Sequence, residues 1–164
     1  MTNKSNFTPA EWKVLLQSMI AAGTAVTAAE PSGLWGLLKE SFAGGTTLAK
    51  ANNDPGTNEL IKAVVADFAT TEGGAARDEL KDKFKNSKLP QIKDKCIETL
   101  REAAAIVDAK APGDAAAYKG WLQQISQHVA EAAKEGGLFG VGGVPVSETE
   151  KATLTEISQA LKAA

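Results

Sequence analysis

The sequence predicts an all-α protein, a compact bundle of about six to seven helices without a β-sheet. Apolar residues recur at intervals of three and four positions along most of the chain, which is the spacing of one helix face. No segment shows a sustained alternation of apolar and polar residues rich in β-branched and aromatic side chains. Segments that contain proline and glycine separate the helical ones.

The chain has the length of one domain. Its 164 residues are enough to bury a hydrophobic core without disulfides, so we predict a single helical domain over 1–164. We expect residues 1–7, which precede the first helix, to be a flexible N-terminus.

The first helix has clear start and stop signals. Thr8 and Glu11 have the spacing of a capping box, with Pro9 at the first helical position. "EPSG" at 30–33 ends the helix. Its apolar stripe consists of Trp12, Leu15, Leu16, Met19, Ile20 and Val26. The apolar run is interrupted by Gln17, Ser18, Thr24 and Thr27, so we expect no membrane span.

Five further helices are expected before the glycine-rich segment. They lie at about 32–51, from Asp54–Pro55 onward with Leu60, Ile61, Val64, Val65 and Phe68 on one face, and at about 75–86, 90–110 and 114–134. The segment "TTEGG" is interpreted as a break between the helix that starts at Asp54–Pro55 and the helix at about 75–86. One side of the helix at 114–134 carries Tyr118, Trp121, Leu122, Ile125 and Val129.

The segment Gly136–Glu150 contains a cluster of glycines, and its function has two interpretations. Its glycines are Gly136, Gly137, Gly140, Gly142 and Gly143. A dinucleotide-binding loop requires a preceding strand, and a P-loop ends in Gly-Lys-Ser/Thr, so neither motif is present. The favoured interpretation is a connector that leads into a second capping box, Ser147 with Glu150, at the start of the last helix. The alternative is a ligand-binding loop that works with His128 and Ser147, although Glu148 and Glu150 would repel an anion there.

Cys96 and His128 are the only residues of their types. Cys96 lies between Ile92 and Leu100 on an apolar face, where a cysteine usually packs as a small hydrophobe. A lone cysteine forms no internal disulfide, which favours a reducing, cytoplasmic location. His128 flanks an apolar face, and a Cys96–His128 pair has no supporting spacing. We expect no metal site, no cofactor and no catalytic residue.

The charges argue against nucleic-acid binding. The formal net charge is −2, so a global basic field is absent. The segment Lys81–Lys95 holds six lysines and two aspartates, but no arginine and one aromatic residue. Base stacking and bidentate base recognition use aromatic and arginine side chains, so we interpret this segment as a solvated pair of helices and expect no nucleic-acid partner.

The segment "GLWGLLKESF", 33–42, is amphipathic. Its polar face is small, so packing within the chain is favoured over membrane binding. If part of it is exposed, Trp35, Leu38 and Phe42 would form an interaction surface.

The segments "FTPAEW" (7–12), "PSGLWGLLKE" (31–40) and "YKGWLQQISQHVAEAAKEGGLFGVGGVPVSETEKATLTEISQAL" (118–161) resemble a family of small bacterial all-helical proteins without an assigned activity. The resemblance covers most of the chain and implies a bacterial, cytoplasmic, helical protein. The closing "VSETE…L..I..AL" pattern is also similar to helical domains of tellurite-resistance-type proteins, which bind metal through acidic residues. This chain lacks their paired aspartates.

These observations favour a non-enzymatic cytoplasmic helical protein that self-associates or docks a protein partner. The alternative is a small-ligand or metal binder that uses the 136–150 region. An enzyme would need a cleft that gathers His128 with carboxylates from distant helices.

Overall fold

Six α-helices and one short 3₁₀ turn form the part of the protein that the structure, a computed structural model, describes: residues 2–29, 56, 58–135 and 146–162. The 3₁₀ turn is Lys4–Asn6, and the α-helices are α1 Pro9–Ala28, α2 Glu59–Phe68, α3 Thr71–Phe84, α4 Leu89–Lys110, α5 Pro112–Glu135 and α6 Glu148–Lys162. These residues contain no strand, which confirms the predicted all-α bundle. None of the described helices is both long and apolar enough to cross a membrane. The helix predicted at 32–51 lies outside the described residues.

The helix α1 lies at the centre of the bundle and contacts each of the other five α-helices. Every residue of its C-terminal half from Ala21 to Ala28 is buried. Most of these residues are small, and small side chains allow neighbouring helices to approach closely. A helix that is covered on all sides needs apolar or hydrogen-bonded residues around its whole circumference, which explains why its apolar stripe is wide.

The buried polar side chains of α1 all require hydrogen-bond partners, because an unsatisfied buried group costs about 1–3 kcal/mol. The amide of Gln17 donates to the Ala76 carbonyl oxygen of α3 at 3.2 Å. From α5, the Ser126 hydroxyl donates to the carbonyl oxygen of Ala22 at 2.8 Å. These contacts fix α3 and α5 against the central helix.

Both predicted capping boxes are present. At the start of α1, the Glu11 backbone N–H donates to Thr8 Oγ1 at 3.2 Å, and the Thr8 N–H donates to the Glu11 carboxylate at 2.7 Å. At the start of α6, the Glu150 N–H donates to Ser147 Oγ at 3.1 Å, and the Ser147 N–H donates to the Glu150 carboxylate at 2.9 Å. The two helices therefore begin where the sequence predicted.

Two helix starts differ from the prediction. Helix α2 begins at Glu59 instead of Asp54–Pro55, because the Asn58 side chain caps it by accepting from the Leu60 N–H at 2.8 Å. Helix α3 begins at Thr71, so the glycines of "TTEGG" lie inside its first turns instead of breaking the chain. A Cβ atom at Gly73 would lie 2.1 Å from the Phe68 carbonyl oxygen, so glycine is needed there for the close approach of the end of α2.

The segment that precedes α1 contacts the rest of the bundle, while the expected flexibility of residues 1–7 stays a prediction. Phe7 is buried, and its ring centroid lies 5.6 Å from that of Trp12. The Lys4 ammonium lies 2.8 Å from the Asp67 carboxylate, which also accepts from the Trp12 indole N–H at 2.9 Å. Asp67 of α2 thus joins the N-terminal turn to the first turn of α1.

The contacts of Asp67 predict a pH dependence of stability. Hydrogen bonds from Lys4 and then from Trp12 hold the pKa of the Asp67 carboxyl below its usual value. A carboxyl whose pKa is lower in the folded protein stabilises it above the unfolded pKa of about 3.9, and this contribution is lost as the pH falls. We expect Asp67→Asn to be less stable than the wild type at neutral pH, with a difference that shrinks in urea titrations at successively lower pH.

Asp78→Asn is the matched control for this prediction. Asp78 is 78% exposed, and its ion pair with Lys81 is long, at 3.8 Å. This variant loses the same formal charge without losing comparable contacts, so its unfolding free energy should follow that of the wild type at every pH. If the free energy of unfolding of Asp67→Asn followed that of Asp78→Asn at every pH, the prediction that the Asp67 contacts stabilise the fold would be wrong.

Candidate interaction face on the fifth helix

The outward side of α5 is exposed and uncharged over most of its length. We define the α5 face as Gly113, Ala116, Ala117, Gly120, Gln123, Gln124, Gln127 and His128, which lie on one side of the helix at spacings of three and four residues. Each of these residues is exposed except Gly120, which is half-buried. By contrast, the exposed residues of α4 include Asp94, Glu98, Arg101, Glu102 and Lys110.

The opposite side of α5 explains how this face is presented. Tyr118 and Leu122 are fully buried, and α5 packs along α1. The two charged residues between the ends of the face, Asp114 and Lys119, bind side chains of other segments. The Lys119 ammonium lies 2.8 Å from the Asp108 carboxylate of α4, and Asp114 accepts a hydrogen bond from Asn58. The charged side chains beside the α5 face are therefore paired within the chain, and the face itself carries no charge.

A groove that is open to solvent runs beside the α5 face, between α5 and α6. Its volume is about 350 Å³, and it is lined by Gly120, Gln123, Gln124, Ser126, Gln127, Leu154 and Ile157. A Cβ atom at Gly120 would meet nothing within 4 Å, so the backbone is accessible from this side. Amide groups around a small apolar floor can contact both polar and apolar groups of a binding partner.

Of the predicted ligand-binding residues, the structure describes only His128 and Ser147. His128 is exposed at the C-terminal end of the α5 face, and the Ser147 hydroxyl caps α6. The five glycines Gly136, Gly137, Gly140, Gly142 and Gly143 lie outside the described residues, as do Trp35, Leu38 and Phe42. The predicted ligand site and the predicted tryptophan surface both remain predictions.

Cys96 has the environment that the sequence predicts. It is completely buried in α4, and this burial raises the pKa of its thiol to about 12. A thiol with such a pKa stays protonated at neutral pH and packs as a hydrophobe. His128, in contrast, is exposed, so Cys96 and His128 lie at different depths.

We expect the Cys96 thiol to react with a disulfide reagent far more slowly in the folded protein than in urea, because burial keeps the reagent away and keeps the thiol protonated. The release of the reagent's chromophore at neutral pH measures both rates. Equal rates in the folded and unfolded protein would contradict the buried, protonated state of this residue.

Glu148 and Glu150, the acidic residues of the 136–150 region, both have structural contacts. The Glu150 carboxylate accepts from the Ser147 N–H, and the Glu148 carboxylate lies 2.8 Å from the Lys151 ammonium. Among the described residues, no group of three or more histidine, cysteine, aspartate or glutamate residues could hold a metal ion.

The lysine-rich segment is largely paired within the chain. Lys85 lies 2.6 Å from Asp82, and Lys93 lies 3.0 Å from Glu156. The Lys95 ammonium donates to the carbonyl oxygen of Lys83 at 2.6 Å. These contacts fit the interpretation of 81–95 as a solvated pair of helices.

The apolar spacing in the sequence predicts the inner side of α5 but not its outer face. The signal was present in "AAYKGWLQQISQH", 116–128, where positions three and four apart carry only small residues, amides and a histidine. Apolar periodicity detects buried faces, whereas an uncharged polar face has no apolar signal.

Comparison with known proteins finds no matching protein family, no matching curated protein and no matching solved structure. The resemblances to small bacterial helical proteins and to tellurite-resistance-type domains therefore stay predictions. The function of the α5 face has to be inferred from its own geometry.

Proposed function

We propose that this protein acts by binding another protein through the α5 face, without catalysing a reaction. The observation that carries the proposal is the absence of charge from an exposed helix face on a bundle whose other outward helices are charged. Burying a charged side chain in an interface costs more than burying an amide or a small residue. Interface cores are accordingly poor in charged residues.

The composition of the face supports a protein partner. Ala116, Ala117 and Gly120 expose little side chain, so another helix could approach the backbone closely. The Gln123, Gln124 and Gln127 amides each have donors and an acceptor that can pair with groups of a partner. We further propose a cytoplasmic location, which the single, buried and protonated cysteine supports.

Native mass spectrometry of gently purified protein over a range of concentrations tests this proposal. We expect complexes in which a second protein chain adds its mass to the 17.1 kDa protein. In Ala116→Lys, which places a charge in the α5 face, we expect at least a tenfold loss of affinity for that chain.

Ala105→Lys is the matched control, because Ala105 is an exposed alanine on α4. It should retain the complex. If the gently purified protein carried no second chain and stayed monomeric at every concentration measured, this would contradict the proposal. An added mass the size of a small molecule or metal ion, without a second chain, would favour the ligand-binding alternative instead.

A further inference from the structure

We infer that the chain bound to the α5 face is a second copy of this protein, with the two α5 helices antiparallel across a twofold axis at Gly120. This inference rests on the proposed function and identifies its partner. It follows from the distribution of side-chain sizes and charges along the face.

The two halves of the α5 face differ in the size of their side chains. Small residues lie on the N-terminal side of Gly120, and glutamines lie on its C-terminal side. In an antiparallel pair with its axis at Gly120, residues equally distant from Gly120 lie opposite each other. The opposed pairs are Gly113 with Gln127, Ala116 with Gln124, Ala117 with Gln123, and Gly120 with itself.

Each small residue thus meets a long amide side chain of the other copy. Such pairing keeps the distance between the two helices even along the whole face, which favours close packing. A parallel pair in register would set Ala116 against Ala116 and Gln124 against Gln124, and would lose this complementarity. An isologous interface needs a surface that complements itself, and the α5 face has that property only in the antiparallel sense.

The distribution of charge also favours a twofold pair. The α5 face carries no charge from Gly113 to Gln127, so no like charges oppose each other across it. The exposed Glu131 lies one turn beyond His128 and, by the same pairing, level with Ala109 of the other copy, outside the contact between the two α5 helices.

The size of the face sets the expected strength of the pair. From Gly113 to Gln127 the helix extends over about 21 Å, which is short for a stable dimer interface burying about 800 Å² per partner. We therefore expect a reversible dimer that forms at micromolar concentrations of protein.

Engineered cysteines test the twofold axis. The native Cys96 is buried, so cross-links through it are minor. Under mild oxidation, we expect Gly120→Cys to form a covalent dimer. A mixture of Ala116→Cys and Gln124→Cys should form at least ten times more covalent dimer than either variant alone. Ala105→Cys on α4 is the control and should stay monomeric.

The side chain added in Gly120→Cys could hold the two helices apart and prevent the cross-link. The mixture of Ala116→Cys and Gln124→Cys tests the same axis without changing Gly120. A non-covalent dimer in native mass spectrometry that is lost in Ala116→Lys but gives neither cross-link would overturn this inference and leave the proposed function intact. A complex with a different protein that is lost in Ala116→Lys would do the same. A wild type that binds no protein chain would overturn both. Cross-linking in the predicted pattern would support both.

Discussion

Replacing Gly73 by alanine is expected to lower the free energy of unfolding by about 3 kcal/mol. The new Cβ atom would lie 2.1 Å from the Phe68 carbonyl oxygen and 2.4 Å from its carbon, where no flexible side chain can move aside. The same carbonyl oxygen accepts a hydrogen bond from the Arg77 guanidinium at 3.2 Å. A shift of the Phe68 backbone that relieves the clash would therefore also weaken this hydrogen bond. Urea denaturation followed by circular dichroism measures the loss.

Gly74→Ala provides a matched control on the same helix. It also places alanine in α3, but the added atom has only the flexible Arg77 guanidinium near it, at 3.8 Å. Here we expect an increase of about 0.5–1 kcal/mol, because alanine loses less conformational freedom than glycine on folding. A similar effect of both substitutions would show that the contact with Phe68 does not determine the stability at Gly73.

The elements that the sequence predicts well are those whose signals are local. The capping boxes at Thr8 and Ser147 each involve residues three positions apart, so both partners are visible in one short segment. The burial of Cys96 follows from the apolar residues at neighbouring helical positions. Tertiary contacts do not alter these features.

The elements that the sequence predicts poorly depend on contacts between distant residues. The glycines of "TTEGG" resemble a break, yet Gly73 serves the packing of α3 against the end of α2. The contacts of the segment around Lys4 involve Asp67, which is far away in sequence. No local pattern contains either partner.

The α5 face likewise has one part that the sequence predicts and one part that it does not. Helical spacing places His128 next to the apolar side of α5, and the structure shows it exposed at the end of the α5 face. The face as a whole was missed, because its defining property is the absence of charge where the rest of the surface carries it. A lack of charged residues indicates an interaction surface only on a side of the helix that is known to be exposed. The packing of α5 against α1 determines which side that is, and the sequence alone does not show this packing.

Replacing Tyr118 by alanine is expected to lower the free energy of unfolding by about 3–5 kcal/mol. Tyr118 is completely buried where α5 packs on α1, so its removal leaves a cavity in the centre of the bundle. Its hydroxyl oxygen lies 3.0 Å from Ser18 Oγ and 3.0 Å from the Leu15 carbonyl oxygen. The Ser18 hydroxyl lies 2.7 Å from the same carbonyl oxygen. The loss of packing and of these contacts is measured by urea denaturation.

Tyr118→Phe separates the hydrogen bonds from the packing. Both hydroxyls lie within hydrogen-bond distance of the Leu15 carbonyl oxygen, so each of them can donate to it. Removing the Tyr118 hydroxyl leaves the Ser18 proton for the carbonyl, so the loss should be only about 1–2 kcal/mol. Ser18→Ala should cost a similar amount, because Tyr118 can then donate to Leu15.

The double variant removes both protons and leaves the buried carbonyl oxygen of Leu15 without either hydroxyl donor. Its loss should exceed the sum of the single losses by about 1 kcal/mol. Strict additivity would mean that the two hydroxyls do not substitute for each other. Burial raises the pKa of the Tyr118 hydroxyl, so this group stays protonated and the coupling should not change across the neutral pH range. The contact that orients the α5 face is therefore insensitive to pH, whereas the Asp67 contact at the N-terminus is not.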